Sequence, residues 1–546
     1  MKAEIKTRDG GITVQGNFVD QVVNYLDPAR GNKRMQARLM AAIAGGYYGG
    51  SRVRRSLKAW NPFGTDPDGA ILFDLPALRE RSRDLVRNAP LAGGAINTVC
   101  TSVVGTGLKL RSRIDREILK MDEAAADAWE RQTEREWRLW AKTAECDVAR
   151  TLDFAAIQDL VFRQVLENGD VFILMPSILR TGQPYGMRLQ VVEGDRICNK
   201  DNAKDTRTLA GGVERDENGA PVAYHIMDQH PGALIGPIRR SWTVVQAFGN
   251  RTGRRNVLHL YKVLRPGQTR GVPYLAPVIE SLKGLDRYTE AEITAAVISG
   301  MFTVFVKSAT GSVGLSPMAP TSEVGGAEAD EDFKLASGAI LNLAQGEEIQ
   351  TANPGRPNAA FDPFVMSVLR QIGVALELPF EILVKHFTAS YSAARAAILE
   401  AWRFFKARRT WLAANFCQAV YENLMDEAVA LGRIKAPGYF GDPIIRKAYL
   451  GSKWIGDAPG QIDELKEINA SKLRIEEGIS TLDDETAAIT GGDFERNIVQ
   501  IKKERKLLKD AGLLQEKENT EGKEGRPMIE EMPPEEEDQP ERGEAR

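Results

Sequence analysis

The 546-residue chain has only four cysteines, Cys100, Cys146, Cys198 and Cys417, and none stand in a CxxC pair. This spacing leaves no thiolate zinc site and no disulfide framework, so buried free thiols in a reducing compartment are expected. Histidine is equally scarce. His225 and His230 are spaced like zinc ligands, but no HExxH motif or nearby thiol joins them, so a structural role is the plainer reading and no metal is expected. No apolar run approaches the ~20 residues of a membrane span. The N-terminal MKAEIKTRDGG lacks the apolar core of a secretory signal, so a cytosolic origin without membrane association is expected. A GxxxxGK[ST] loop is missing, which leaves an ATP-driven motor without a phosphate cradle. GxSxG and GxGxxG turns are missing too. With no nucleophile and base in one constellation and no cofactor motif, the reading moves from enzyme to structural or binding protein.

Of the residues present, 43% are hydrophobic and 27% charged, enough for a sizeable core. The net charge of −3 hides an asymmetry. From Gln515 onward twelve acidic residues face five basic ones, a net of −7, so the preceding body carries about +4. Pro28–Trp60 holds eight Lys or Arg residues and no acid, a segment that suits phosphate or simply water.

Periodicity divides the chain. Residues 1–60 are Gly-rich and basic and read as a loosely ordered arm. Helical patterns follow at Asp74–Arg87, Pro90–Val104 and Asp122–Lys142, the last with Trp129, Trp137 and Trp140 on one side. Asp153 is placed to cap a helix that ends at Asn168-Gly169. From Asp170 the short runs VFILMP, MRLQVVEG, VAYHIM, WTVVQAF and VLHLYKV suggest a mostly antiparallel sheet. A long helix is expected from Tyr274, with Leu275, Ile279, Leu282, Leu285, Ile293 and Val297 on one face. A small-residue, acidic excursion and a hairpin over GAILNLAQGEEIQTA come next. Asp362-Pro363 offers a cap and a first-turn proline for a helix to Leu376. The longest helical pattern begins near Ser390 and keeps its period to Leu424. Charged helices are expected at Asp463–Glu477 and Phe494–Ala511, and a disordered acidic tail over 515–546. The fold class is α+β, predominantly helical.

Several segments resemble the lambda family of phage portal proteins. They are ARLMAAIAGGYYGGS, LRERSRDLVRNAPLAGGAINTVCTSVVGTGLKL, EREWRLWA, FRQVLENGDVFILM, LQVVEGDRI, YKVLRPGQTRGVPYLAPVI and LPFEILVKHFTASYSAARAAILEAWRFF. They occur in the family's order. RPGQTRGVP together with SYSAARAA is the most telling combination, although Ala393 stands where the family shows a second serine.

The resemblance implies a ring oligomer, commonly a dodecamer, with wing, stem, clip and crown regions around an axial channel for double-stranded DNA. It places an arm at 1–60, the first part of the wing at 61–273, stem helices at 274–300 and 359–380, and the clip at 301–358. A tunnel loop would span 381–392, the long tunnel helix and second part of the wing 393–455, and the crown 456–514. Implied partners are other copies of the chain, the terminase large subunit, major capsid and scaffold proteins, and head-tail connector proteins. The location implied is the virion, after assembly in the host cytoplasm.

A conduit that passes every sequence needs weak, phosphate-directed contacts repeated by symmetry rather than base readout. Lys385 and His386, in the implied tunnel loop with Thr388, Ser390, Tyr391 and Ser392, are the leading DNA-facing candidates. Arg395, Arg403 and Lys406 on the next helix suit salt bridges as well as DNA. Arg265, Gly267, Gln268, Arg270 and Gly271 are expected to pin a strand-to-helix junction. The tryptophans are expected in the core. Glu193 and Asp195 carry the competing reading of a metal-dependent nuclease; a solvated turn is the plainer one. A non-viral nucleic-acid-binding scaffold is the third reading, which a more basic chain would fit better.

Overall fold

The computed structural model describes residues 2–7, 10–15, 18–43, 56–57, 59–234, 240–300, 304–308, 347–351, 360–387, 391–460 and 464–513. Side chains are described among these except at 2–7, 10–15, 38–43, 298–300, 304–308, 347–351 and 391–392. The chain divides into two compact units, Met1–Asp74 with Leu264–Thr269, and Leu75–Val263 with Arg270–Arg546.

The first unit opens with the antiparallel hairpin β1 (Lys2–Thr7) and β2 (Gly10–Gln15), followed by α1 (Phe18–Leu26), α2 (Pro28–Ile43) and α3 (Pro67–Ile71). The segment read as a loosely ordered arm therefore contains regular structure. α2 carries most of its charge as solvated basic side chains, and Arg34 reaches Asp20 of α1 at 3.1 Å.

The second unit begins with α4 (Leu75–Asn88), α5 (Pro90–Val103), β3 (Lys109–Ser112), α6 (Arg116–Leu119), α7 (Glu123–Ala141) and α8 (Phe154–Asn168). Local chemistry sets these boundaries. The Asp122 side chain accepts from Ala125 N at 2.7 Å, and the Asp153 side chain accepts from Ala156 N at 2.9 Å. Gly169, at φ 89°, takes a conformation that ends α8 at little cost. The buried stripe of α8 (Phe154, Ile157, Val161, Phe162, Val165) joins Trp129, Trp137 and Trp140 of α7 in one large core. Trp137 meets Phe154 edge-on at 5.0 Å, and the Trp140 indole donates to Met187 O at 2.9 Å. The tryptophans are core residues, as their spacing indicated. Burying each contributes on the order of 3 kcal/mol.

Next come β4 (Asp170–Leu174), β5 (Gln190–Glu193), β6 (Leu209–Ala210), β7 (Val213–Arg215), β8 (Pro221–Met227), β9 (Trp242–Gln246) and β10 (Val257–Tyr261). They form two antiparallel sheets rather than the single sheet expected, ordered β10-β4-β5 and β6-β7-β8-β9. β4 shows why they stack. Val171 and Ile173 enter the large helical core, whereas Phe172 enters a second core with Val192, Tyr224, Ile226 and Val257. A strand buried on both faces must be apolar at every position, and VFIL is.

α9 (Ile279–Gly300) starts five residues later than Tyr274, after a 3₁₀ turn at Ala276–Val278. Its predicted apolar face changes along its length: Leu282 is buried, but Ile293 and Val297 are exposed. β11 (Val304–Ser308) pairs with β12 (Glu347–Thr351), the second half of the expected hairpin. The first half of that hairpin lies outside the described residues. α10 (Phe361–Ala375) follows, and its N-cap is Ala360 without a side-chain bond, so Asp362 sits inside the first turn instead of capping it.

α11 (Phe380–Val384) precedes α12 (Tyr391–Leu412), which runs through a π turn at Ala413–Cys417 into α13 (Gln418–Ala430). The nearly continuous period seen in the sequence thus absorbs one wide turn, at which Phe416 and Cys417 are buried. α14 (Pro443–Tyr449) and β13 (Ser452–Ile455) complete the body, β13 pairing with β3. α15 (Glu464–Glu476), α16 (Leu482–Thr490) and α17 (Phe494–Asp510) end the described chain. α16 was not anticipated: LDDETAAIT is short and has only Leu482, Ile489 and the two alanines Ala487 and Ala488 to mark a period. The expected acidic tail lies outside the described residues. Cys100, Cys146 and Cys417 are buried and all four thiols are free; burial pushes Cys100 and Cys146 up to about 12.

Candidate functional site

The RPGQTRGVP stretch between β10 and α9 is held by backbone and side-chain bonds along its whole length. Within the first unit, Gln268 Oε1 accepts from Leu264 N at 2.8 Å and Arg265 N at 3.2 Å, closing a turn in which Gly267 takes φ 81°. Arg265 donates to Thr65 O at 2.9 Å, and the Thr269 hydroxyl donates to Asp68 at 2.6 Å.

Within the second unit Arg270 is 2% exposed and uses all five of its donors. Nε and Nη2 reach Asp170 at 2.6 and 3.2 Å, Nη1 reaches Ile197 O and Gly211 O at 2.8 and 2.6 Å, and Nη2 also reaches Gly194 O at 2.6 Å. Gly271 is required by proximity: a Cβ there would overlap the Gly169 carbonyl oxygen. Tyr274 N donates to Leu166 O at 2.8 Å and its hydroxyl donates to Leu376 O, which ties the start of α9 to the ends of α8 and α10. Arg270 and Gly271 thus lie against Asp170 and the Gly169 backbone in the segment between β10 and α9.

The centre of the arrangement is Asp170, which sequence reasoning missed. It is fully buried and also accepts from Arg79 at 2.6 Å and lies 3.4 Å from His259 Nε2. Burial alone pushes this carboxyl upward; Arg270, Arg79 and the His259 contact reverse that and hold it well below the usual carboxylate range. Burial likewise lowers His259, against the pull of Asp170. One signal was available in the sequence: an aspartate heads a strand that is otherwise wholly apolar. Its partners, 89 to 101 residues away, left no local trace.

The nuclease candidates are otherwise engaged. Asp195 is ion-paired with Arg83 and lies 3.9 Å from Arg79, and Glu193 lies 3.9 Å from His230. His225 is bonded to Glu214 at 2.7 Å, apart from His230. Among the described residues no group of three His, Cys, Asp or Glu side chains is placed to hold a metal ion.

The channel candidates occupy the region of α11 and α12. Lys385 is the exposed, left-handed C-cap of α11 (φ 56°), and the exposed His386 donates its backbone N–H to Glu381 O at 3.1 Å. Thr388 and Ser390 lie outside the described residues; Tyr391 and Ser392 open α12, and their side chains are not described. On α12, Arg395, Arg403 and Lys406 fall within an arc of about 80° at 100° per residue. Arg395 is half-buried, Lys406 is exposed, and Arg403 is exposed and paired with Glu400 at 2.9 Å. The fold thus aligns the three basic residues on one side of a helix.

The family model for phage portal protein, lambda family, matches residues 53–409, a span that includes the RPGQTRGVP stretch, the α9 and α10 helices and most of α12. The chain belongs to the lambda family of phage portal proteins. Portal protein B of Escherichia phage lambda is 26% identical over 495 residues, covering 86% of this chain and 91% of its own. The portal protein of Escherichia phage N15 is 25% identical over 497 residues, with the same coverages of 86% and 91%. Among solved structures, a chain of the virion of a native gene transfer agent particle aligns at a TM-score of 0.40 and 13% identity, covering 76% of this chain and 92% of that one. No helix among the described residues is long and apolar enough to cross a membrane.

Proposed function

We propose that the chain is the repeating subunit of a portal ring, a dodecamer by the family's common pattern, at one vertex of a tailed-phage capsid. The ring conducts double-stranded DNA during packaging and ejection and has no catalytic role of its own. The observation that carries this reading is the family match over 53–409. It is supported by apolar side chains on the helix pair, Ile293 and Val297 of α9 and Phe364 and Val374 of α10, that are exposed among the described residues. α9 and α10 serve as stem helices, residues 301–358 as the clip, and 456–514 as the crown. Lys385 and His386 face the DNA, with Arg395, Arg403 and Lys406 behind them. A belt of single charges repeated around an axis holds DNA loosely enough to slide. The terminase large subunit docks first and supplies the energy, followed by head-tail connector proteins; capsid and scaffold proteins surround the wing.

Negative-stain images of purified protein test the reading. Rings with a central hole support it, whereas monomers that cut DNA with magnesium favour the nuclease. Lys385→Ala is expected to leave rings intact while altering DNA packaging or retention; unchanged filling and retention removes Lys385 from the channel.

A further inference from the structure

The three C-terminal helices are joined to the body in an unusual way. Between residues 464 and 513 only Ser471 and Glu485 are buried, both polar, and neither hydrophobic core takes a residue from this segment. Most of its large apolar side chains, including Leu465, Ile468, Val499 and Leu507, are exposed, and Ile475, Ile489 and Phe494 are only half-buried. Hydrophobic burial therefore does not hold the segment in place.

Ion pairs do. Arg111 of β3 reaches Asp493, the N-cap of α17, at 2.6 Å and Asp483 of α16 at 3.4 Å. Arg113 reaches Asp483 at 2.9 Å, and Lys453 of β13 reaches Asp484 at 2.6 Å. Arg496 of α17 reaches Glu134 of α7 at 2.8 Å. Meanwhile Arg474 of α15 grips Glu485 of α16 at 2.6 and 2.9 Å, so the helices are tied to one another as well. Beside these contacts a groove of about 860 Å³, lined on one side by Lys406 and Thr410 of α12 and Ala414 of the π turn and on the other by Asp484, Ala487 and Ala488 of α16, opens to solvent. Water reaches the joint from that side.

We propose that residues 464–513 form an electrostatically latched module that undocks from the body as one piece while the body stays folded. The strands β3 and β13 carry the fixed half of the latch, and α16 and α17 carry the moving half. Arg111, whose side chain is 8% exposed, is the central bolt; Arg113 and Lys453, 44% and 41% exposed, form the rim. Salt shortens the screening length from about 10 Å at 0.1 M to about 3 Å at 1 M, which weakens the rim first. The inference stands on contacts within one subunit and is independent of the portal reading.

Hydrogen–deuterium exchange on the full chain tests it. Raising NaCl from low concentration to 1 M is expected to speed exchange throughout 464–510, on the order of tenfold, with α8 and α13 unchanged. Arg111→Gln at low salt should reproduce the pattern. Should that variant fail to fold, Lys453→Glu, at an exposed site, should loosen the same segment, and adding Asp484→Lys should restore its protection. Protection of 464–510 that ignores both salt and these substitutions overturns the proposal. So does a loss of protection that α8 and α13 share, because the segment would then belong to one cooperative unit with the body.

Discussion

Asp170 and Asp483 are both aspartates held by arginines, yet the first is fully buried and the second is partly open to solvent. Around Asp170 the charges lie in the core: Arg270 and Asp170 are 2% and 0% exposed at the side chain, and every donor has a fixed acceptor. Around Asp483 the partners stand in water, apart from Arg111. A buried pair contributes little beyond its desolvation cost while intact, but losing one member strands a charge and is severe. A solvated pair contributes up to about 1 kcal/mol and yields to salt. The first arrangement fixes the start of α9 rigidly to β4 and α8. The second leaves the C-terminal helices attached by contacts that solvent can break.

Four experiments probe this contrast. Arg270→Ala should destabilise the body by about 3–5 kcal/mol in denaturant melts, since Asp170 would stay buried with less compensation; a change below about 1 kcal/mol would show that the pair is not buried as described. Gly271→Ala should cost about 1–3 kcal/mol through overlap with the Gly169 carbonyl, and a neutral result would mean that the two backbones separate freely.

The pH dependence follows from His259, whose folded-state value is depressed by burial. The unfolded chain then binds the proton more readily, so the stability linked to neutral His259 is full above about 6.5 and falls as the pH drops below it. Asp170, also depressed, keeps its contribution above about 3.9 and loses it only as the pH falls through its lower folded value. His259→Phe, which keeps the stack on Phe172, should flatten part of the stability slope below about pH 6.5; an unchanged slope would assign it to other groups. Arg113→Gln should have the smallest effect, under about 1 kcal/mol on unfolding of the body at low salt, and a larger one would make the rim part of the core's stability.

What could be read from the sequence follows the range of the forces involved. Caps act over three residues, so Asp122 and Asp153 fixed their helix starts to the residue. Period and bulk placed the three tryptophans inside, and the RPGQTRGVP motif falls between β10 and α9. The stacking of two sheets depends on both faces of β4, which an unbroken apolar run implies without naming the partners. Asp170, Arg79 and His259 converge from distant segments, and no spacing rule connects them. The Pro363 start of α10 misled because an aspartate before a proline is a common cap, whereas here the helix had already begun at Phe361. The N-terminal hairpin and helices were hidden by glycine and charge, which lower local propensity without forbidding structure. Of the channel candidates, sequence gave Arg395, Arg403 and Lys406 a common helix, and the structure adds that they share one side of it.

Everything proposed for DNA depends on many copies sharing an axis. A cryo-EM reconstruction of the purified full-length chain examines this directly. The expected map is a closed ring with α9 and α10 packed between neighbouring copies and Lys385 at the inner wall of the axial opening. A lone subunit, or a ring in which Lys385 points away from the axis, would contradict it.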